Sequence, residues 1–341
     1  VSTAFEHKIR ATSAELFSLS KSENSMELVV SLLIDKGKIQ FPTDVLKKII
    51  ADVINEIIFG RFFPNTFISS AERTGAAIFR KELNFARNRL LKEVSQTDKN
   101  IDPIQLLSGV YNDYALPVER NVDFTRQLET IAKQSSFIAE KYPDILDDFT
   151  NIIGGEYSVT RNDELYFRPQ EKRIRLTMDE SSSAVRSLLD IGFYLRHVAK
   201  QGDLLMVDEP ELNLHPENQC RIARLFVRLI NSGIKVFITT HSDYIVKELN
   251  TLIMLNNDKP YLKQIAQEEG YKENELISAD MIKVYIAEKA LIQLDGNKKR
   301  SHNQTLTQAH IDPELGIEAQ SFDTTINRMN RIQEAVVWGG D

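Results

Sequence analysis

Several features that define other protein classes are missing from this chain. Its 341 residues include one cysteine, Cys220, which excludes an internal disulfide framework. No apolar run approaches the roughly 20 residues of a membrane-spanning helix, and no basic segment leads into an apolar stretch at the start. The net charge of −7 excludes a uniformly basic surface for nucleic acid. We therefore expect a globular cytoplasmic protein without a membrane partner, and DNA binding stays open.

Hydrophobic spacing predicts four parts. Residues 1–75 hold short strands, within 27–34 and over 66–70, and a helix over 45–57. Residues 76–150 are strongly helical, with the clearest amphipathic stretches at 84–94 and 123–142, and are interpreted as a solvated helical insertion or an arm that binds a partner. Residues 151–256 form the α/β core, and residues 257–341 a C-terminal extension of mixed helix and loop.

The core part alternates between the two types of regular structure. Three strands are predicted over 156–160, 164–167 and 172–176, followed by a helix over 183–199. Then come a strand over 204–208, a helix over 218–231, a strand over 235–240 and a helix over 242–250. This order predicts a parallel sheet with crossover helices.

The most informative stretches are LLMVDEPELNLHP at 204–216 and VFITTHS at 236–242. Each is an apolar strand followed by polar residues, and the carboxyl edge of a parallel sheet is where ligands collect. There Asp208 can hold Mg²⁺ near phosphates, and Glu209 can accept a proton from an attacking water. His241 can hydrogen-bond a phosphate or that water. The alternatives are an ordinary capping acid and a packed histidine.

These motifs resemble those of soluble ABC-type ATPases of the RecF, SMC and OLD-like branch. VDEP at 207–210 resembles their Walker B motif with its catalytic glutamate, ELNLHP at 211–216 their D-loop, and TTHS at 239–242 their switch-histidine motif. The resemblance implies a P-loop NTPase core and hydrolysis of ATP with Mg²⁺ at an interface between two copies. Asp208 would be the metal ligand, Glu209 and His241 catalytic, and Asn213 and His215 D-loop residues.

Two further segments resemble the family less closely. DESSSAVRS at 179–187 stands where these ATPases carry a Ser-Gly-Gly signature, so Ser181, Ser182 and Ser183 would contact the nucleotide of the opposing subunit. The alternative is a serine-rich helix cap without a ligand. In SSAERTG at 69–75, Arg73 would approach nucleotide or a neighbouring subunit, or else pair with Glu72 or a surface acid.

One element of the family is missing, the phosphate-binding GxxxxGK[ST] loop, since Gly37-Lys38 is followed by Ile39 and lacks the earlier glycine. We expect it to lie upstream of Val1, in which case the native protein begins about a hundred residues earlier. Without that loop, the polypeptide is not expected to hydrolyse ATP alone.

For biological role, LRH at 195–197 and NSGIK at 231–235 most resemble the ATPases of PARIS-type anti-phage systems. This implies a homo-oligomer that senses a phage-encoded trigger and controls a separate effector, such as a TOPRIM nuclease. The alternatives are a RecF- or SMC-like ATPase of DNA repair or chromosomes, and a nucleotide-binding scaffold without significant turnover.

Overall fold

The computed structural model describes most of the chain beyond residue 113 and parts of the chain before it. The described residues are 5–11, 14–25, 27, 29–32, 51, 63–82, 114–161, 163–171, 173–293, 299–318 and 320–339. The chain divides into two compact units, Val1–Phe63 and Pro64–Asp341. The four-part division expected from the sequence stays a prediction. The helices predicted over 45–57 and 84–94 lie outside the described residues, apart from Ala51.

The smaller unit contains an antiparallel sheet of three strands in the order β1-β2-β3. These strands are β1 (Phe5–Ala11), β2 (Ala14–Lys21) and β3 (Val29–Leu32). The third confirms the strand predicted within 27–34. The first two were not predicted.

The larger unit opens with strand β4 (Thr66–Ser69), which confirms the predicted strand at 66–70, and helix α1 (Arg73–Ile78). Over the described residues from 114 onward, the first helices are α2 (Leu116–Arg126), α3 (Leu128–Ile131), α4 (Phe137–Lys141) and α5 (Pro143–Ile153). The prediction of one continuous helix over 123–142 is therefore wrong, because the structure divides this range among α2, α3 and α4. The chain breaks at Gln127 and again before Ser136, whose hydroxyl caps α4 by accepting from the Ala139 N–H.

An antiparallel meander of three strands comes next, in the order β5-β6-β7. Its strands are β5 (Gly155–Val159), β6 (Leu165–Pro169) and β7 (Leu176–Thr177). The first two agree with the prediction, whereas the third is shorter and begins later than expected.

The helix predicted over 183–199 is broken into three pieces: α6 (Ser183–Ser187), α7 (Leu189–Phe193) and a π-helical turn (Tyr194–Val198). A neighbouring segment explains the irregular end. The Ser136 hydroxyl and N–H donate to the carbonyls of Leu195 and Arg196, and the Phe137 N–H donates to that of Ala199. Tertiary contacts thus compete for carbonyls that sequence periodicity assigns to a regular helix.

The segment that carries the two informative motifs follows the predicted order. It consists of β8 (Leu204–Asp208), α8 (Pro216–Asn231), β9 (Lys235–Thr239) and α9 (Asp243–Leu255). Strands β4, β8 and β9 form a parallel sheet in the order β4-β8-β9, which confirms the α/β class and the crossover helices. In this sheet β8 is hydrogen-bonded on both sides.

The main core lies against the middle of this sheet. Leu205 and Val207 of β8 are almost fully buried and belong to one cluster with apolar residues of α7 and α8, including Ile191, Leu225 and Leu229. Burying each large aliphatic side chain contributes about 1.5–3 kcal/mol. Burial therefore fixes the backbone of β8, and the polar residues after it begin where the core ends.

The C-terminal part contains more strand than predicted. Helix α10 (Pro260–Glu268) is followed by an antiparallel hairpin, β10 (Tyr285–Ile292) with β11 (Ser301–Gln308), then by the pair β12 (Ile311–Asp312) and β13 (Gly316–Ile317) and by helix α11 (Gln320–Trp338). The expectation of mixed helix and loop is wrong for the hairpin. Among the described helices, none is long and apolar enough to cross a membrane.

Candidate functional site

Asp208 ends the central strand of the parallel sheet, and its register partner across the sheet is Thr239, the last residue of β9. The Thr239 hydroxyl donates a hydrogen bond to Oδ1 of Asp208. The Asp208 side chain lies at the carboxyl edge of the sheet and is exposed. A ligand approaching from solvent can therefore reach this carboxylate.

Glu209 has an unusual backbone. Its φ is +47°, in the left-handed region that is costly for a residue with a Cβ. Its N–H donates to the Thr239 carbonyl at 3.0 Å, so β9 holds it from one side. Its Oε1 lies 3.9 Å from Nε2 of His241, whose side chain is 89 % exposed. The structure thus brings Asp208, Glu209 and His241 together on adjacent strand ends.

Glu211 supports the histidine segment, and the sequence interpretation gave it no role of its own. Its carboxylate accepts from the Thr240 hydroxyl at 2.9 Å and from the His241 N–H at 2.7 Å. These two bonds fix the backbone of residues 240–241 to the loop after β8. Its place within the quoted 204–216 motif was the signal that could have identified it.

The two predicted D-loop residues occupy the connection between β8 and α8. Asn213 is exposed and has a φ of +62°, a conformation that asparagine tolerates better than most residues. His215 is the N-cap of α8, and its Nδ1 accepts from the Glu217 N–H at 3.4 Å. The loop therefore directs both polar side chains outward at the start of a long helix.

The three signature-like serines differ in what they do. Ser181 is buried, and its hydroxyl donates to the Thr177 carbonyl at 2.7 Å. Ser182 is the N-cap of α6 and accepts from the Val185 N–H at 3.3 Å, while the Ser183 hydroxyl accepts from Arg186 at 3.2 Å. Ser182 and Ser183 are exposed. Ser182 is thus a helix cap, as the alternative expected. A contact of the three serines with an opposing subunit stays a prediction.

Arg73 is buried at the edge of the site. Its side chain is 2 % exposed, so its guanidinium does not face solvent, and its hydrogen bonds go to backbone carbonyls instead of to Glu72. Two of those carbonyls belong to Asp208 and Glu209. Among the described residues, the pairing with Glu72 or a surface acid is wrong. The expected approach to nucleotide or a neighbouring subunit stays a prediction, which the burial of the guanidinium does not favour.

A buried carboxyl group accompanies Arg73. Asp190 is 2 % exposed, and its oxygens accept from the Asn121 side-chain amide at 3.0 Å and the Ile191 N–H at 2.8 Å. Burial raises the pKa of Asp190, whereas the positive charge of Arg73 lowers it. Burial lowers the pKa of Arg73, because it disfavours the charged form of both groups. Four nearby carboxyl groups oppose this lowering: Asp190, Asp208, Glu211 and Glu209. Arg73 therefore lies among the acids of the site.

The site suits a metal ion such as Mg²⁺ that takes most of its ligands from phosphate and water. Within the described parts of the chain, no three or more His, Cys, Asp or Glu residues are grouped so as to hold a metal. Mg²⁺ commonly takes one or two protein carboxylates and completes its shell with phosphates and water. The exposed carboxylate of Asp208 fits that requirement.

Comparison with known proteins assigns the family. Residues 11–246 match the profile of the AAA ATPase domain. A solved structure from the structural biochemistry of ATP-driven dimerization and DNA-stimulated activation of SMC ATPases is 14 % identical, with a TM-score of 0.32, over 60 % of this chain and 96 % of the other. The Smc head domain with an extended coiled coil, bound to the C-terminal domain of ScpA and derived from Pyrococcus furiosus, is 16 % identical, with a TM-score of 0.23, over 68 % and 66 %. None of the curated proteins matches. Since the profile spans more than half of the sequence, the chain belongs to the AAA ATPase domain family.

Proposed function

We propose that this protein hydrolyses ATP with Mg²⁺ at the carboxyl edge of the parallel sheet. The observation that carries the proposal is the meeting of three polar side chains on adjacent strand ends. Asp208 and Glu209 follow the buried strand β8, and the His241 imidazole lies 3.9 Å from the Glu209 carboxylate. Family membership supports nucleotide binding independently of this geometry.

Each side chain has a distinct proposed role. Asp208 holds the metal, oriented by the hydroxyl of Thr239. Glu209 accepts the proton of the attacking water, and His241 contacts that water or the terminal phosphate through its exposed ring. When bound, Mg²⁺ neutralises charge on the terminal phosphates. Glu211 keeps the histidine segment in place.

The site is proposed to be completed by a second copy of the chain. Ser182 and Ser183 are exposed at the start of α6, where backbone N–H groups favour an anion. Asn213 and His215 are exposed on the connection after β8. In this arrangement ATP lies between the Asp208 edge of one copy and the serines of its partner, so that turnover requires at least a dimer.

Replacing Glu209 by glutamine in the full-length protein tests this function. The amide keeps the shape of the side chain but cannot accept the proton, so we expect ATP to bind and the hydrolysis rate to fall about 100- to 10,000-fold. The matched control is Glu217→Gln, an exposed acid of α8 that pairs with Arg221 at 2.5 Å. Hydrolysis at the wild-type rate by Glu209→Gln would contradict the proposed role.

For biological role, we propose an anti-phage sensor that controls a separate effector such as a TOPRIM nuclease. The support is the sequence resemblance at 195–197 and 231–235. Infection of cells carrying the gene and its neighbours should show protection that Glu209→Gln removes. Protection that persists without turnover favours the nucleotide-dependent scaffold, and salt-sensitive DNA binding with DNA-stimulated hydrolysis favours the RecF- or SMC-like alternative.

A further inference from the structure

The buried guanidinium of Arg73 makes four hydrogen bonds to backbone carbonyls of three separate segments. Its Nε donates to Ser187 at 2.7 Å, and one terminal nitrogen, Nη1, donates to Ser70 at 2.9 Å and to Asp208 at 2.6 Å. The other, Nη2, donates to Glu209 at 2.7 Å. One side chain thus connects the end of α6, the turn after β4 and the end of β8.

The two carbonyls after β8 belong to the residues proposed to bind metal and to accept the proton. Glu209 is held in its left-handed conformation from both sides, by Arg73 at its carbonyl and by Thr239 at its N–H. A costly backbone conformation persists only where its surroundings over-determine it. The orientation of the Glu209 side chain relative to the backbone therefore depends on these bonds.

Arginine suits this position for reasons that lysine does not share. A planar guanidinium presents five N–H donors in a fixed arrangement, while an ammonium group is a compact point charge on a flexible stem. The positive charge is also matched locally, because Asp190 and the acids after β8 surround it. Lysine would preserve the charge but could not reach all four carbonyls at once.

Neighbouring contacts make the three segments a connected frame. The Asn121 side chain accepts from the Ser70 N–H at 2.7 Å and donates to the Ile68 carbonyl at 2.8 Å, which fixes the turn that carries Arg73. The Ser187 hydroxyl donates to the Leu212 carbonyl at 3.1 Å. The end of α6 is thus bonded both to Arg73 and to the loop after β8.

We propose that Arg73 is a positioning residue that holds the backbone of Asp208 and Glu209 so that their carboxylates face the metal and the attacking water. It acts through these carbonyls and touches neither nucleotide nor partner. It also ties the serine-bearing helix α6 to the same backbone. This inference rests on the proposed function of the Asp208 edge.

The test compares two arginines of similar burial in the full-length protein. Arg80 is 4 % exposed, donates to the carbonyls of Thr125 at 2.6 Å and Asp163 at 2.8 Å, and pairs with the Asp163 carboxylate. None of these partners belongs to the site. Arg73→Lys and Arg80→Lys should therefore lower the thermal midpoint to a similar extent, while only Arg73→Lys disturbs the carboxylates.

We expect Arg73→Lys to lower kcat for ATP hydrolysis about 10- to 100-fold with KM within about threefold of wild type, because small misplacement of reacting groups is costly. Arg80→Lys should keep the wild-type kcat. In the absence of nucleotide, amide hydrogen exchange over residues 206–214 should accelerate in Arg73→Lys and not in Arg80→Lys. This second readout does not depend on turnover.

Three results would overturn the inference: an equal kcat for the two variants, unchanged exchange over 206–214, or a rise in KM alone, which would indicate direct nucleotide contact. Glu209→Gln separates the two proposals. Wild-type turnover in that variant removes the proposed function, whereas its loss together with a normal kcat in Arg73→Lys removes only the positioning role. If Arg73→Lys does not fold, Asn121→Ala, which loosens the same turn, should lower kcat about three- to tenfold, and an unchanged kcat there refutes the proposal.

Discussion

The left-handed backbone of Glu209 predicts that this residue costs the protein stability. A residue with a Cβ pays about 1–2 kcal/mol for this conformation, and glycine avoids that cost but loses about 0.5–1 kcal/mol through greater freedom in the unfolded chain. The φ of +47° at Glu209 therefore predicts a net gain of about 0–1.5 kcal/mol for glycine, with a midpoint of about 0.75 kcal/mol. The exposed contact with His241 adds about 0–1 kcal/mol at most, and Glu209→Gln measures the loss of charge separately.

The assay compares the thermal unfolding of three variants. Relative to Glu209→Gln, Glu209→Gly should raise the unfolding midpoint by about 1–3 °C, and both should lose ATP turnover. Asn213→Gly is the control, because Asn213 has a φ of +62° but is a residue type that already tolerates it, so its gain should be smaller. A Glu209→Gly protein that unfolds at a lower temperature than Glu209→Gln would refute the strain argument.

Three other predictions concern the core and pH. Gly192→Ala should destabilise the protein by about 1–3 kcal/mol in chemical denaturation, because a Cβ there would lie 2.7 Å from ring atoms of Phe149 and Tyr157; Gly75→Ala, in α1 with nothing within 4 Å of the new Cβ, should be neutral or stabilising. Leu205→Ala should cost about 2–5 kcal/mol in the same measurement, because this fully buried residue of the central strand would leave a cavity. Burial lowers the pKa of His197, and the bond of its ring to the Gln134 carbonyl opposes that shift. The folded protein therefore favours the neutral imidazole. The contribution of His197 to stability is present above the unfolded-state pKa of about 6.5 and is lost as the pH falls below it. His197→Asn, which keeps a donor for that carbonyl, should lose less stability than wild type between pH 7.5 and 5.5, and an equal loss would contradict this assignment.

The parts of the fold that could be predicted are those where local pattern and tertiary environment agree. Strands β8 and β9 are apolar runs that end in polar residues, so both their positions and the meeting of their ends follow from the sequence. Strands β10 and β11 alternate poorly and are largely exposed, so their hairpin was missed. The helix over 183–199 has continuous periodicity, but Ser136 and Phe137, far away in the chain, bond to its last carbonyls and break its regularity.

The sequence by itself determined the chemistry of the site: an aspartate and a glutamate after one buried strand and a histidine after the next, in a chain that matches the AAA ATPase domain. Only the tertiary structure decided what holds that chemistry in place. Arg73 and Glu211 act on backbone groups distant in sequence or across a loop, by hydrogen bonds that leave no periodic or spacing signal. The same holds for the left-handed turn at Glu209, because a strained conformation exists only where contacts from several segments converge on it.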